Sequence, residues 1–454
     1  MNRLDDLFGR RVLVWGARLE GRSVVRFLDG RSPCRVVVDP PADYSALSDE
    51  TGATVEPPSD DVLGWCEAIV RSPIIHPDRA ELAAAREAGK VVGHPVGLWL
   101  AQPRPQPVIG LTGTKGKSTT SALTAAILRA AGLDVGLGGN IEIPITDLRD
   151  DHDAYVVEVS SYMATDAPAS PRFGLLTNLG EDHVTWHGSL DRYRSDKLRL
   201  FGFGQLERLA VNGFDEVSLA LTRHLPQVRF GTDGFVLDGL AVRFGGETVV
   251  DTADTYLGNP HFALDVCGAL TAAGFVIGDE RAAAIAAPAV LAHEPLPSRL
   301  EPAGSIGGIR FVDDALASNP LGAVAGVGAF PDVPLAIIVG GENRDVGFEP
   351  LLDALAGRRA PTFVALVSDT TELLAAGLAD RGVAHVAIGD QDIAPAVVAA
   401  HHWAATHPRA VVLFSPGAPT PRWFGYHSDR SRTFKAAVAA LRSAGPDRVS
   451  RAGW

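Results

Sequence analysis

The chain has 454 residues, 46% of them hydrophobic, which at about 100–200 residues per domain predicts two to four domains. Gly and Pro make up about a sixth of the residues, below the roughly 25–30% of a low-complexity chain. A net charge of −13 argues against a nucleic-acid partner or an anionic membrane surface, and three scattered cysteines (Cys34, Cys66, Cys267) form neither a disulfide framework nor a CxxC metal site, as suits a reducing cytoplasm.

Asp5 and Asp6 precede the first apolar run, which makes a poor signal peptide. No apolar stretch approaches the roughly 20 residues of a membrane span. Only five lysines (Lys90, Lys115, Lys117, Lys197, Lys435) stand against 36 arginines. A lysine kept in such a chain stands where arginine cannot serve.

Short β-rich runs alternate with Ala/Leu-rich helical stretches, the pattern of parallel α/β sheets. The first block has expected strands at 11–16, 34–39, 68–73 and 91–95. Gly16 and Gly21 flank the turn after its first strand, but GxGxxG is absent, and a structural βαβ turn fits equally well. Asp39 ends the second strand, where an acidic residue often meets a ribose or base. The segment AQPRPQP at 101–107 is the expected linker.

The second block opens on VIGLTGTKGKSTTSALTAAIL at 108–128, a strand, a Gly/Thr/Lys loop and an Ala-rich helix. Gly113 and Gly116 allow backbone N–H groups to face an anion, and the helix N-terminus adds its dipole. Lys117 is expected at the β/γ-phosphates and Ser118 on Mg²⁺. The loop matches the shorter GTxGKS/T form, since Leu111 occupies the position of the first Walker glycine. Further strands are expected at 154–160 and 173–178. EVSS at 158–161 places Glu158 at a strand end, next to the phosphate loop, as a hard oxygen ligand for Mg²⁺.

The stretch from Thr177 to Phe201 holds His183 and His187, spaced like a zinc pair but without the intervening Glu or a third ligand, so zinc is set aside. Lys197 stands alone among Arg192, Arg194 and Arg199. A strand-rich part follows over 207–254, then a helix at 260–274, and a second hinge at 293–298. The third block has expected strands at 309–313, 335–340, 363–368, 385–389 and 410–415. Arg299, Asp314, Arg344 and Ser415 fall at strand ends or turns along one rim of that sheet.

With these motifs the chain resembles the Mur ligases, of the superfamily that also holds folylpolyglutamate synthases. The resemblance rests on TGTKGKST, EVSS, the NxxxDH pattern at 178–183, Lys197 in DKLRLF and Asn140 in GGNIEIP. It implies three α/β domains: a Rossmann-like domain over 1–103 for the UDP substrate, a P-loop ATPase-like domain over 104–297, and a Rossmann-like domain over 298–454 for glutamate. It implies an ADP-forming ligase that adds glutamate to UDP-N-acetylmuramoyl-L-alanine for peptidoglycan, with ATP and Mg²⁺, as a cytoplasmic monomer.

The implied roles follow the motifs. Gly113, Thr114, Lys115, Gly116, Lys117, Ser118, Thr119, His261, Arg299 and Asp314 face ATP. Gly16, Arg18, Leu19, Asp39, Ser72 and Asn140 face the UDP substrate. Ser318, Arg344, Ser415 and Phe424 face glutamate. Ser118, Glu158, His183 and a carbamylated Lys197 hold the metal, and Lys117, Lys197, His183 and Glu158 carry the catalysis. Three departures bear on the amino acid: DSKATN reads DALASN, the lysine of the GGxxKG turn is Arg344, and HNxxNA reads HFALDV. They leave the enantiomer of glutamate open. A folate-type ligase of the same superfamily and a non-catalytic UDP-sugar sensor remain as alternatives, and an NAD dehydrogenase is disfavoured because GxGxxG is missing.

Overall fold

The computed structural model describes residues 2–141, 143–253, 255–343, 347–389 and 393–444. The first sheet is formed by β1 (Val12–Trp15), β2 (Cys34–Val37), β3 (Val55–Glu56), β4 (Ala68–Arg71) and β5 (Val91–Gly93), in the order β3-β2-β1-β4-β5. All its pairings are parallel. Val12, Leu13, Val14 and Trp15 are all buried, as expected for a strand covered on both faces.

The central sheet is formed by β6 (Val108–Thr112), β7 (Val135–Gly139), β8 (Ala154–Glu158), β9 (Phe173–Leu176), β10 (Arg208–Asn212) and β11 (Gln227–Phe230). Its order is β11-β10-β9-β6-β8-β7, and every pairing is again parallel. The chain leaves β6 with β8 on one side and β9 on the other. This is the switch point of a doubly wound sheet, outside whose strand ends ligands bind. A small antiparallel sheet of β12 (Val236–Asp238), β13 (Ala241–Phe244) and β14 (Glu247–Asp251) follows.

The last sheet is formed by β15 (Glu301–Ile306), β16 (Ile309–Asp313), β17 (Leu335–Val339), β18 (Thr362–Leu366), β19 (Ala384–Ala387) and β20 (Val411–Phe414), in the order β15-β16-β20-β17-β18-β19. Only its β15–β16 pair is antiparallel.

These sheets fall into two compact units. One holds 1–255 with 260–293, and the other holds 256–259 with 294–454. The expected hinge at 293–298 coincides with this division. The first two sheets, by contrast, share one core. Val14 and Val70 of the first and Tyr155, Val157 and Leu176 of the second belong to a single apolar cluster, joined by Val96, Leu98 and Trp99. Within that unit Arg71 is wholly buried, and its Nε and Nη2 donate to the two Asp166 oxygens at 2.9 and 2.5 Å. It also donates to the carbonyls of Tyr162 (2.9 Å), Ile75 (3.0 Å) and Pro73 (3.3 Å).

The expected helix at 260–274 runs over Pro260–Ile277, an 18-residue segment apolar enough to span a membrane by composition. It is a core helix. Val266 to Ala273 are buried, and Gly268 lies against the Phe230 ring.

Candidate functional site

The phosphate loop needs its glycines. Gly113 has φ +156° and Gly116 φ +82°. A Cβ on Gly113 would lie 1.7 Å from Thr177 Oγ1, and one on Gly116 would lie 2.4 Å from Asp265 Oδ1. Asn178 splints the loop. Its carbonyl accepts from Thr114 N–H at 2.9 Å, its Oδ1 accepts from Lys115 N–H at 3.0 Å, and its Nδ2 donates to the Lys115 carbonyl at 3.0 Å. The Thr114 hydroxyl bonds the Tyr193 phenol at 2.9 Å and accepts from Gly180 N–H at 3.0 Å.

Gly116 precedes the helix Lys117–Ala130 and brings no side chain of its own to the first-turn N–H groups. Lys117 Nζ bends back onto the carbonyls of Gly113 (2.9 Å) and Thr114 (3.1 Å). Ser118 and Thr119 are buried behind it. His261 is exposed in the first turn of Pro260–Ile277, one turn before Asp265. Asp265 stands where HNxxNA has its second asparagine, and its carboxylate comes up against Gly116.

Glu158 ends β8 wholly buried. Its Oε1 accepts from Asn140 Nδ2 at 2.7 Å, while its Oε2 is buried with no partner among the described residues. A buried carboxylate oxygen without a donor is a costly arrangement, and a cation relieves it. The structure places Asn140, expected near the substrate and the metal, on the Glu158 carboxylate. Lys197 is 2% exposed and donates from Nζ to the Gly113 carbonyl at 2.9 Å. Burial, and then the neighbouring Lys117 charge, hold its amine well below the usual lysine range. Lysine scarcity in the sequence thus marks a residue at the heart of the site.

His183 adopts the left-handed conformation at φ 51° and packs its ring against Tyr162 at 4.9 Å. Desolvation holds it below the usual imidazole value of 6.5, against the opposing pull of Asp182. Among the described residues no three His, Cys, Asp or Glu side chains converge as a metal cluster. The oxygen donors Ser118 and Glu158, with one imidazole and a lysine that becomes anionic once carbamylated, suit a hard cation such as Mg²⁺.

His187 is no zinc partner of His183, because both its ring nitrogens are engaged. Nδ1 lies 2.7 Å from Asp196 Oδ2 and Nε2 lies 3.0 Å from Ser161 Oγ, all three residues being buried. Arg192 Nε holds the other Asp196 oxygen at 2.8 Å. The carboxylate accepts from Nδ1–H, and in the neutral tautomer this leaves Nε2 to accept from the Ser161 hydroxyl. This relay ties the helix of Lys197 to the segment that follows Glu158. Ser161, Asp196 and Tyr193 escape a sequence reading. Only the HxxxH spacing hints at the relay, and it points to the wrong chemistry.

At the carboxyl edge of the first sheet, Gly16 has φ +116° and lies so close to Ser72 that a Cβ would meet its Oγ at 2.2 Å. Ser72 Oγ and Trp15 Nε1 are both buried without partners among the described residues. Asp39 Oδ2 accepts from Arg79 Nη1 at 2.9 Å, and that guanidinium lies 4.4 Å from the centre of the Trp15 ring. Arg18 begins the helix Leu19–Leu28, with Leu19 exposed beside the turn. Gly16, Asp39 and Ser72 therefore gather at one edge, with Arg79 as an addition.

In the second unit, Asp314 is buried after β16. It accepts from Ser415 Oγ at 2.7 Å and from Leu300 N–H at 3.4 Å. Burial raises its carboxyl to about 7, the Ser415 bond, the Leu300 bond and Arg299 offsetting only part of that. Asn319 caps the helix Pro320–Gly328, Ser318 is exposed and Phe424 is half-buried. Arg344 lies outside the described residues. Arg430, not singled out in the sequence, is buried and donates to the carbonyls of Gly340, Ala315 and Ala418, at 3.2–3.4 Å. It ties three loops of the rim together.

Residues 111–244 match the sequence profile of the Mur ligase middle domain. A UDP-N-acetylmuramoyl-L-alanine–L-glutamate ligase of Xanthomonas axonopodis pv. citri is 33% identical over 471 residues, covering 97% of this chain and 98% of that protein. The chain belongs to the Mur ligases. A ligase of the same name from a Micromonospora species is 34% identical, over 96% of this chain and 98% of its own length. The crystal structure of a UDP-N-acetylmuramate–alanine ligase from Thermotoga maritima superposes with a TM-score of 0.62 at 17% identity, covering 95% of this chain and 100% of that one. This Mur ligase thus shares the fold of that enzyme over 95% of its length.

Proposed function

We propose that this Mur ligase joins L-glutamate to UDP-N-acetylmuramoyl-L-alanine at the expense of ATP, releasing ADP and phosphate for peptidoglycan precursor synthesis. The observations that support the chemistry are a Glu158 oxygen buried without a partner among the described residues and a buried Lys197 amine, held below its usual range, on the Gly113 carbonyl. The choice of substrates rests on the relatives, whose names specify L-glutamate over nearly their whole length. In this reading the sugar nucleotide lies at the Gly16, Arg18, Leu19, Asp39 and Ser72 edge, within 1–103. ATP lies at the loop of 104–297, with His261, Arg299 and Asp314. Glutamate meets Ser318, Arg344, Ser415 and Phe424 of 298–454.

The substrate carboxylate attacks the γ-phosphorus of ATP, ADP leaves, and an acyl phosphate remains. The glutamate amine then attacks the acyl carbon, a tetrahedral species forms, and phosphate departs as the amine loses its proton. Positioning and charge neutralisation account for most of such a transfer. Lys117 and the loop N–H groups follow the charge as it moves. Ser118, Glu158, His183 and carbamylated Lys197 would hold Mg²⁺, which when bound adds charge neutralisation. An unprotonated amine is the form that attacks CO₂, and burial shifts Lys197 towards that form. Arginine has no comparable route.

The test is phosphate release with ATP, Mg²⁺ and UDP-N-acetylmuramoyl-L-alanine, with each glutamate enantiomer supplied separately. Preference for L-glutamate is expected. Equal or better use of the D form would overturn the enantiomer, and turnover only with another amino acid would overturn glutamate itself.

A further inference from the structure

At the opposite end of the central sheet, away from the phosphate loop, lies a cavity of about 490 Å³ lined by Trp99, Gln102, Arg104, Gln106, Arg172 and Gln205 among others. It opens beside Val108, where β6 begins, and Arg172, just before β9. The loop glycines follow the far end of β6, about 13 Å of strand away. The two sites therefore do not overlap. The size falls within the range of small-molecule pockets, roughly 300–1,000 Å³.

The lining is unusual for this chain. Arg3, Arg104 and Arg172 contribute to it and no carboxylate does, although acids outnumber bases 54 to 41 in the sequence. Arg104 is a built element. Its side chain is 10% exposed, and its guanidinium lies 3.7 Å from the Trp99 ring centre. Asp150 Oδ1 accepts from Nη1 at 3.0 Å and Gln102 Oε1 from Nη2 at 2.9 Å. Its Nε–H is buried without an acceptor among the described residues. Arg172 donates to Glu207 from Nε at 2.9 Å. Asp150 and Glu207, the acids that hold these two arginines, both stand outside the lining. Gln102, Gln106 and Gln205 add amide groups, while Trp99, Leu100, Val108 and Pro171 form an apolar wall.

We propose that this cavity binds a small metabolite carrying two or more anionic oxygens, phosphate or carboxylate, on a compact apolar body. Three arginines on one lining that holds no carboxylate suit anionic oxygens, and the amides suit polar substituents. The 101–107 segment supplies much of the lining, so occupancy cross-links the connection between the first two sheets.

The test is calorimetric titration of the full chain, saturated with ADP and free of Mg²⁺, with pyrophosphate in one arm and citrate in the other. One-to-one binding of either is expected. Pyrophosphate alone would assign a phosphorylated ligand, and citrate alone a carboxylate. The variants Arg172→Glu and Gln205→Glu, both at exposed positions, each put a like charge at the mouth and should weaken that binding by about tenfold or more. Should one variant not fold, the other carries the test. Absence of heat with both probes in the parent chain overturns the proposal, and so does binding that both variants leave unchanged, since the ion would then sit elsewhere. Neither result bears on ligase activity, which is assayed separately.

Discussion

Replacing Arg71 by Met is the sharpest test of how the turn after β4 is held to the segment that follows β8. Arg71 is wholly buried and divides its protons between Asp166 and the carbonyls of Tyr162, Pro73 and Ile75. Methionine keeps most of the volume but strands the Asp166 carboxylate, whose side chain is 16% exposed. Breaking a buried pair from one side costs about 3–5 kcal/mol. Arg86, 3.5 Å from Asp166, compensates in part and favours the lower figure. At roughly 2–4 °C per kcal/mol, the melting transition of this unit should drop by about 6–20 °C. In the parent, burial pushes the Asp166 carboxyl up, but Arg71 outweighs it and the net value lies below the usual 3.8. A depressed carboxyl stabilises above its unfolded pKa and loses that contribution as pH falls through the folded one. Without Arg71 only burial and the weaker neighbours remain, so the variant's penalty should be greatest at neutral pH and shrink towards pH 4. Thermal melts by tryptophan fluorescence at pH 8 and pH 4.5 measure both. A loss below about 1 kcal/mol at pH 8, or a penalty that grows on acidification, would refute the reasoning.

Lys117→Ala should lower turnover by about 10²–10³, the cost of one preorganised donor at a developing charge, and a variant within threefold of the parent would remove the phosphate-loop reading. Lys197→Ala should be almost inactive and partly rescued by acetate, while Lys197→Arg should stay inactive with or without it; full activity of the arginine variant would show a mere cation. His187→Ala strands the buried Asp196 carboxylate and Ser161 hydroxyl, so it should cost about 1–3 kcal/mol of stability and, in the folded variant, lower kcat with KM for ATP little changed; an unchanged kcat would reduce the Ser161–Asp196 relay to packing. Asp314 has a folded value of about 7 against 3.8, so its contribution to stability is present below pH 4 and lost as pH rises through 7. Urea midpoints of Asp314→Asn should accordingly fall less than the parent's between pH 5 and pH 8, and a parallel decline would contradict that.

What the sequence discloses and conceals follows from the physics of each element. Runs such as Val108–Thr112 and Leu335–Val339 are apolar on both faces, and these strands appear where expected. Val135–Gly139 reads VGLGG and Glu301–Ile306 reads EPAGSI, where glycine and proline hide strands behind a turn-like composition. The phosphate loop, Glu158 and Lys197 are legible because their chemistry constrains both residue type and spacing. The Arg71–Asp166 latch is not, since arginine is ordinarily a surface residue and its partner lies 95 positions away. Asp196 is concealed for a similar reason. Only the folded helix reveals that its carboxylate turns to His187.

The shared core of the first two sheets sets a rule for recombining such enzymes. A chimera cut at residue 103 would strip Val96, Leu98 and Trp99 from Tyr155 and Val157, with which they form one apolar cluster. Each fragment would then present to solvent a surface built to be interior, a liability for aggregation. Exchanging the first sheet between such ligases therefore requires carrying the central sheet with it, through His293. The two sheets are inherited here as one folding unit.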